Sequence, residues 1–445
     1  MSFEQVKKVA AEFALDKAID YVVRDPEKNL LSLLDFAERL ASRPEHKETV
    51  QSLRQHFKDN PGVMKQAKRL LKNPKMLSNF MRIWVGSSML VGKTVREQLS
   101  KELGVSVPTL IVIDPTAACN LRCEGCWAGE YNKAESLEPE LFDRILREAK
   151  ELGIYWIALS GGEPFAYPHL LDIVEKHQDM AFMSYTNGTL IDEEKADRLA
   201  QLANFSPAIS LEGWEEQTDA RRGKGTFKKV MKTMDLLRER GVAFGASVTA
   251  TRNNVEELFS EKFIDFLVEK GAVYMWSFHY IPVGRSPNPD LMLRPEQRAW
   301  LAREVPRLRK EKPILIADFW NDGEATQGCI AGGRIYFHIS AAGDVEPCAF
   351  AHFAVGNIRE QSLKEAIQNP LFKAYQKRQP FNTNHLAPCP IIDNPEILRE
   401  IVEESKALPT HEGADSILSG ELGGYLDKIS EQWRQEADKV SLERK

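Results

Sequence analysis

Several absences narrow this chain before any motif is read. No apolar run among its 445 residues reaches the roughly 18 needed to cross a bilayer, which excludes a helical membrane span. The first two dozen residues carry acids throughout and lack an apolar signal-peptide core, so export is not expected. Excess positive charge is missing too: 59 Lys and Arg stand against 65 Asp and Glu, a net charge of −6. That balance argues against a general nucleic-acid binder. Cysteine is scarce, six in all. The expected location is a reducing cytoplasm, where clustered thiols mean metal rather than disulfides. What remains is 43% hydrophobic and 28% charged, an ordinary soluble composition with length for two to four domains.

Three of the six cysteines, Cys119, Cys123 and Cys126, fall within eight residues in DPTAACNLRCEGCW, residues 114–127. The apolar, β-branched run Leu110-Ile-Val-Ile113 precedes them and reads as a buried strand. The thiols therefore sit in a loop at the C-terminal end of a strand, where α/β folds put their chemistry. Three converging thiolates suit a soft metal or an iron–sulfur cluster. A structural zinc site wants a fourth close ligand, and the loop offers none.

Cysteines in this C-x3-C-x2-C spacing resemble the signature of the radical S-adenosylmethionine (SAM) enzymes. The resemblance implies a [4Fe–4S] cluster on Cys119, Cys123 and Cys126 whose open iron chelates SAM. It implies reductive cleavage of SAM to a 5′-deoxyadenosyl radical that abstracts hydrogen from a substrate C–H bond. It also implies an electron donor such as flavodoxin or ferredoxin. One position departs from the pattern: the residue before the last cysteine, usually aromatic, is Gly125, with Trp127 on the other side.

From residue 109 to 281 strand-like and helix-like segments alternate. Strands are expected at 110–113, 155–159, 181–185, 208–211, 244–248 and 275–280, with helices starting near Pro139, Pro168, Asp192, Thr226 and Val255. Six βα units imply a parallel sheet curved into a partial barrel, and radical SAM cores resemble this (β/α)6 architecture. At the strand ends lie Ser160-Gly161-Gly162-Glu163-Pro164, Thr186-Asn187-Gly188 and Ser210-Leu211-Glu212. Glycines allow close backbone approach, and a carboxylate suits an ammonium group. The first stretch matches the family's GGE motif, so Gly161, Gly162 and Glu163 are expected at the SAM amino group. Asn187, Ser210 and Glu212 are expected as further SAM contacts, and Arg222 as the partner of the SAM carboxylate, with a surface ion pair as the alternative. Ser247 and Thr249 alternate with apolar neighbours and are expected to face the barrel interior. Tyr280 ends strand six, near the expected adenine.

Cys329-x13-Gly343-x4-Cys348 resembles the opening of the auxiliary-cluster region in the SPASM and twitch subfamilies. Residues 334–345 read as a hairpin that brings the two cysteines together, and Cys389 adds a third thiolate. The resemblance implies one auxiliary cluster, its fourth iron open to substrate or held by Asp393 or His385; a plain core cysteine at 389 is the alternative.

The expected division is a helical N-terminal region (1–107), the barrel (108–284), the auxiliary domain (285–395) and a helical tail (396–445), its two helices separated by a Gly/Ser-rich link at 418–424. Apolar spacing in Val6, Val9, Phe13 and Ala18, and in Leu31, Leu34, Phe36 and Leu40, marks the N-terminal helices, and Pro26, Pro61 and Pro74 punctuate them. Between 61 and 101 nine basic residues (Lys65, Lys68, Arg69, Lys72, Lys75, Arg82, Lys93, Arg96, Lys101) face one acid, Glu97. Apolar residues including Phe80, Trp84 and Met89 are interleaved. Such a stretch suits an anionic membrane surface, or a face packed on the barrel with solvated charges. On that ground, and on likeness to radical SAM enzymes that couple lipid tails, the sequence suggests a lipid or other hydrophobic substrate and a peripheral membrane location. A peptide or small metabolite is the alternative, and a non-catalytic iron–sulfur scaffold is the alternative of another class.

Overall fold

The computed structural model describes residues 17–18, 20–40, 51, 54–55 and 61–443. Val6, Val9 and Phe13 lie outside them. The described N-terminal part is helical, with Pro26, Pro61 and Pro74 each opening a helix: Pro26–Leu40, Pro61–Leu70 and Pro74–Met81. Proline suits a first helical position because its missing N–H would have no partner there. Asn73 adds a cap, its side chain accepting from the Met76 amide. A π-helical stretch, Arg82–Gly92, and the helix Lys93–Leu103 follow. Gly92 and Gly153 meet here; a Cβ on Gly92 would lie 2.4 Å from the Gly153 carbonyl.

All six expected strands form, and three more join them. They are β1 (Leu110–Ile113), β2 (Trp156–Leu159), β3 (Ala181–Thr186), β4 (Phe205–Leu211), β5 (Gly245–Ala250), β6 (Tyr274–His279), β7 (Leu315–Asp318), β8 (Tyr336–Ile339) and β9 (Val345–Glu346). They make one sheet in the order β7-β6-β5-β4-β3-β2-β1-β8-β9, parallel except for β9. The sheet thus runs past residue 284, the expected end of the barrel. The hairpin expected in the auxiliary domain is present as β8–β9, but β8 also pairs in parallel with β1, Val112 opposite His338.

The two faces of the sheet differ. Ile111, Ile113, Ile157 and Leu159 belong to the main core, under the surrounding helices. The alternate residues, Val112, Ala158 and Met183, form a separate cluster with Tyr185, Tyr274, Trp276 and Tyr336 on the inner face. Parallel register aligns Ser210 on β4, Ser247 on β5 and Trp276 on β6, so the expected inward placement of Ser247 holds.

The basic N-terminal stretch packs along the end of the barrel where the helices finish. Arg69 donates to the carbonyls of Val268 and Glu269, Lys75 to Gln201, and Arg96 to Gly153. Gln66, Asn73 and Asn79 donate to Ala272, Ala200 and Leu202. These carbonyls end or follow the helices Pro139–Glu151, Glu193–Leu202 and Glu261–Lys270. Helix C-termini carry partial negative charge and unpaired carbonyls, which explains a local surplus of cations. Three of the nine cations, Arg69, Lys75 and Arg96, are thus spent on the barrel. Phe80, Trp84 and Met89 are nonetheless exposed, with Phe80 stacked on Trp84. Among the described residues no helix is long and apolar enough to cross a membrane.

At the other end of the chain the last helix is longer than expected, Gly420–Glu443. It takes in most of the Gly/Ser-rich link because Gly423 packs against Leu418, with a Cβ placed 3.1 Å from its carbonyl carbon. Trp433, Ala437 and Val440 then bury Ala299 and Ala302 of the helix Pro295–Glu311.

Candidate active site

The loop after β1 is held by its neighbours rather than by itself. The Gly162 and Glu163 amides donate to the Thr116 and Ala118 carbonyls, and the Glu124 and Arg285 amides to those of Arg221 and Cys126. Gly162 is needed for this contact: a Cβ there would lie 2.1 Å from the Ala118 carbonyl. The two glycines therefore admit the cysteine loop itself. Gly125 has φ +59°, and its bare Cα faces the Tyr280 ring, 2.7 Å from where a Cβ would stand. Tyr280 supplies an aromatic ring beside the position where the motif lacks one. Trp127 points elsewhere, edge-on to His338 and Phe350.

Glu163 is engaged within the chain. Its side chain is fully buried, and its carboxylate accepts from the Phe165 amide at 3.0 Å, the Thr186 hydroxyl at 2.6 Å and the Asn187 amide at 2.7 Å. Burial pushes its pKa up while these donors pull it down. The carboxylate clamps the end of β2 to that of β3. Asn187 turns towards the cysteine loop, its amide donating to Asn120 at 2.9 Å and lying 3.9 Å from Cys119 Sγ.

Arg222 is engaged as well. Its Nε and Nη2 donate to Glu212 Oε1 at 2.8 and 2.5 Å, and Arg221 Nη1 lies 2.8 Å from the same oxygen. This is not a surface pair: the side chains of Arg222 and Glu212 are 13% and 1% exposed. Burial pulls the guanidinium down, but Glu212 and Cys123 outweigh it and hold Arg222 charged. Glu212 Oε2 is buried with no hydrogen-bond partner among the described residues. Ser210 and Ser247 sit side by side on the same inner face.

Cys329, Cys348 and Cys389 gather at the β8–β9 edge. Burial pushes Cys119 up to about 11 and Cys329 up to about 12, and raises Cys123, Cys348 and Cys389. Cys123 and Cys126 both raise Cys119, Cys348 raises Cys329, and Cys329 raises Cys389. Asp393, one expected fourth ligand, binds Arg298 at 2.6 Å and the Cys389 amide at 2.9 Å.

The donor chemistry of both thiol sets suits an iron–sulfur cluster. All six cysteines are free. A backbone amide two residues on donates to the sulfur of Cys119, Cys348 and Cys389, each at 3.4 Å. Such amides stabilise thiolate ligands. The Tyr375 hydroxyl, buried beside the second set, has no acceptor among the described residues.

Sequence reasoning missed two features. One is a buried chain of Ser160, Asp114, His338, Glu346 and Tyr131, with His338 3.0 Å from Asp114 and 2.6 Å from Glu346, and Tyr131 2.9 Å from Glu346. The other is an aromatic lining between the thiol sets: Trp127, Tyr185, Trp276, Phe278, Phe319 and Phe350. The period of two in Tyr274, Trp276 and Phe278 was its available signal.

Two family models match the chain, the radical SAM superfamily over residues 113–258 and an iron–sulfur cluster-binding (SPASM) domain over 329–390. The mycofactocin maturase MftC of Mycobacterium tuberculosis is 30% identical over 278 residues, covering 58% of this chain and 69% of that protein. An AdoMet-dependent heme synthase of Methanosarcina barkeri is 28% identical over 293 residues, covering 59% and 83%. The fold is similar to that of Streptococcus suis SuiB bound to its precursor peptide SuiA, with TM-score 0.58 and 20% identity over 74% of this chain and 80% of that one. With these matches, the chain belongs to the radical SAM superfamily of enzymes, in the group that carries a SPASM domain and works with [4Fe–4S] clusters and SAM.

Proposed function

We propose that Cys119, Cys123 and Cys126 hold the cluster that binds SAM, that Cys329, Cys348 and Cys389 hold a second one, and that a peptide or small molecule reacts between them. The observation that carries this reading is the aromatic lining. Trp127, Tyr185, Trp276, Phe278, Phe319 and Phe350 lie on or against the inner face, yet all are only half-buried. Side chains inside a barrel that keep accessible surface line a chamber rather than a packed core.

When bound and reduced by one electron, the cluster and SAM supply a 5′-deoxyadenosyl radical that takes hydrogen from an unactivated C–H bond. The chain's own groups bind, orient and exclude water. The aromatic walls favour an apolar or aromatic group on the substrate. Trp276 Nε1 and Glu212 Oε2, both buried and without partners among the described residues, remain as one donor and one acceptor. Gly161, Gly162, Asn187, Ser210 and Glu212 are the proposed SAM contacts; Arg222 acts through Glu212, and Glu163 through the loops it joins. A carrier of the flavodoxin or ferredoxin type is the proposed electron source.

A lipid substrate is not retained, because three of the cations that suggested it, Arg69, Lys75 and Arg96, serve the helix ends. The similar proteins, a mycofactocin maturase, a heme synthase and SuiB with its bound precursor peptide, support a peptide or small molecule. Native mass spectrometry of anaerobically purified protein tests this. The expected result is a co-purifying peptide or small molecule that stimulates 5′-deoxyadenosine release when added back with SAM and reductant. A phospholipid or fatty-acyl mass with that effect overturns the reading.

A further inference from the structure

Two tyrosines near the second set of thiols have no role in the account so far: the Tyr336 hydroxyl touches a thiol, and Tyr375 packs on the turn that carries Cys329. The Tyr336 hydroxyl lies 2.9 Å from Cys348 Sγ. Tyr336 stands on β8, in register with Leu110, and belongs to the inner-face cluster with Tyr185 and Trp276. Its ring is therefore part of the wall between the chamber and the auxiliary thiols. Tyr375 comes from the helix Pro370–Arg378 and is fully buried. Its hydroxyl has no partner among the described residues.

The turn that carries Cys329 is shaped to admit this ring. Gly332 has φ +67°, and a Cβ there would come 2.5 Å from the Tyr375 Cβ. A fully buried hydroxyl without an acceptor is rare in folded proteins. No thiol of the chain reaches it, which leaves the sulfur of a bound cluster as its acceptor, while Tyr336 already lies at hydrogen-bonding distance from Cys348 Sγ. An iron–sulfur cluster gains negative charge on reduction, and a buried setting with three thiolates resists that. An O–H donated to sulfur offsets the added charge and raises the reduction potential.

We propose that Tyr336 and Tyr375 donate hydrogen bonds to the sulfur shell of the auxiliary cluster and raise its reduction potential. The inference rests on the reading that Cys329, Cys348 and Cys389 hold that cluster. Asp393 is not available for this work, since Arg298 and the Cys389 amide occupy its carboxylate.

The test uses the full chain with Cys119, Cys123 and Cys126 changed to Ala, so that only the auxiliary centre is observed. Tyr336→Phe and Tyr375→Phe are added singly and together, each removing one hydroxyl and no ring. Iron content and EPR-monitored potentiometry are the readouts. The expected result is about four irons in every variant, with the midpoint moved to more negative potential by each single change and further by the pair. Iron retained with an unmoved midpoint in both single variants overturns the proposal alone. Loss of iron on Tyr375→Phe also overturns it, because Tyr375 would then be a ligand. Absence of iron from the parent variant removes the cluster reading itself, and this inference with it. Should Tyr375→Phe not fold, the Tyr336→Phe midpoint decides. In the complementary chain with Cys329 and Cys348 changed to Ala, Tyr336→Phe should leave the midpoint of the SAM-binding cluster unmoved, and a shift there overturns the assignment.

Discussion

Arg222 and Glu212 meet at the rim of the barrel through a fork, Nε and Nη2 both donating to Oε1, and the second carboxylate oxygen is left buried without a partner among the described residues. One oxygen thus serves two arginines while the other meets no donor among those residues. A carboxylate in that state costs free energy unless a ligand donor completes it.

Glu212→Gln should therefore act twice. It keeps the shape but leaves Arg221 and Arg222 without their counter-charge, which destabilises a buried pair by about 3 kcal/mol. It also replaces an acceptor with a donor at the amide end, so SAM affinity should fall roughly tenfold, or about 1.4 kcal/mol. Urea unfolding and equilibrium dialysis with SAM measure the two effects separately. Unchanged SAM affinity removes Oε2 from the site.

Glu163→Ala should look different. Three donors, the Phe165 and Asn187 amides and the Thr186 hydroxyl, lose their buried acceptor, at about 1–3 kcal/mol each where no water replaces it. The expected outcome is a loss of stability measurable without any cofactor, with weaker SAM binding as a consequence. A variant of normal stability that fails only to bind SAM would return Glu163 to direct contact.

This difference shows where the sequence was legible. Cys119, Cys123 and Cys126 announce themselves because their spacing is local, and so do the apolar runs of β1 to β6. Glu163 was found by its motif, but a motif does not say which way a side chain turns. The pairing of Val112 with His338 joins residues over two hundred positions apart, and no local pattern marks it. β7 was within reach: a helix from Pro295 followed by the short run to Asp318 continues the βα alternation. The purpose of Arg69, Lys75 and Arg96 was not within reach, because the carbonyls they meet belong to helices far along the chain.

Iron content tests the two sets of thiols. Reconstituted protein should bind about eight irons, and about four after Cys329 and Cys348 become Ala. SAM cleavage should persist in part in that variant. Four irons in the unaltered protein would exclude an auxiliary cluster.

His338 gives a pH dependence with a definite sign. Burial pulls its imidazole down, but Asp114 and Glu346 outweigh burial and hold it up to about 10. A folded-state value above the unfolded value of about 6.5 stabilises the protein fully below that pH. The contribution is lost as pH rises through about 10. Urea midpoints should fall over this window, and the fall should be smaller in His338→Gln. Equal slopes in the two proteins would show that His338 is not held protonated.

The last prediction concerns membranes. Arg69, Lys75 and Arg96 are occupied at helix C-termini, and Lys68 pairs with Glu27. Of the nine cations, Lys65, Lys72, Lys93 and Lys101 are exposed with no such partner on the barrel, Lys93 lying 3.8 Å from Glu97 of its own helix. Each cation close to an anionic surface contributes about 1 kcal/mol, so four spread along the segment, one of them offset by Glu97, hold a protein of this size only weakly. Flotation with anionic vesicles at low salt should therefore leave the protein unbound, and Trp84 fluorescence should not shift. Arg69→Ala and Arg96→Ala should each lower stability by about 0.3–1 kcal/mol, the value of a cation at a helix C-terminus, or more where the carbonyl is left unpaired. Stable binding to the vesicles, weakened by salt and accompanied by a Trp84 shift, would mean that exposed Phe80, Trp84 and Met89 dock with the lysines. A membrane-facing role for the segment would then have to be restored.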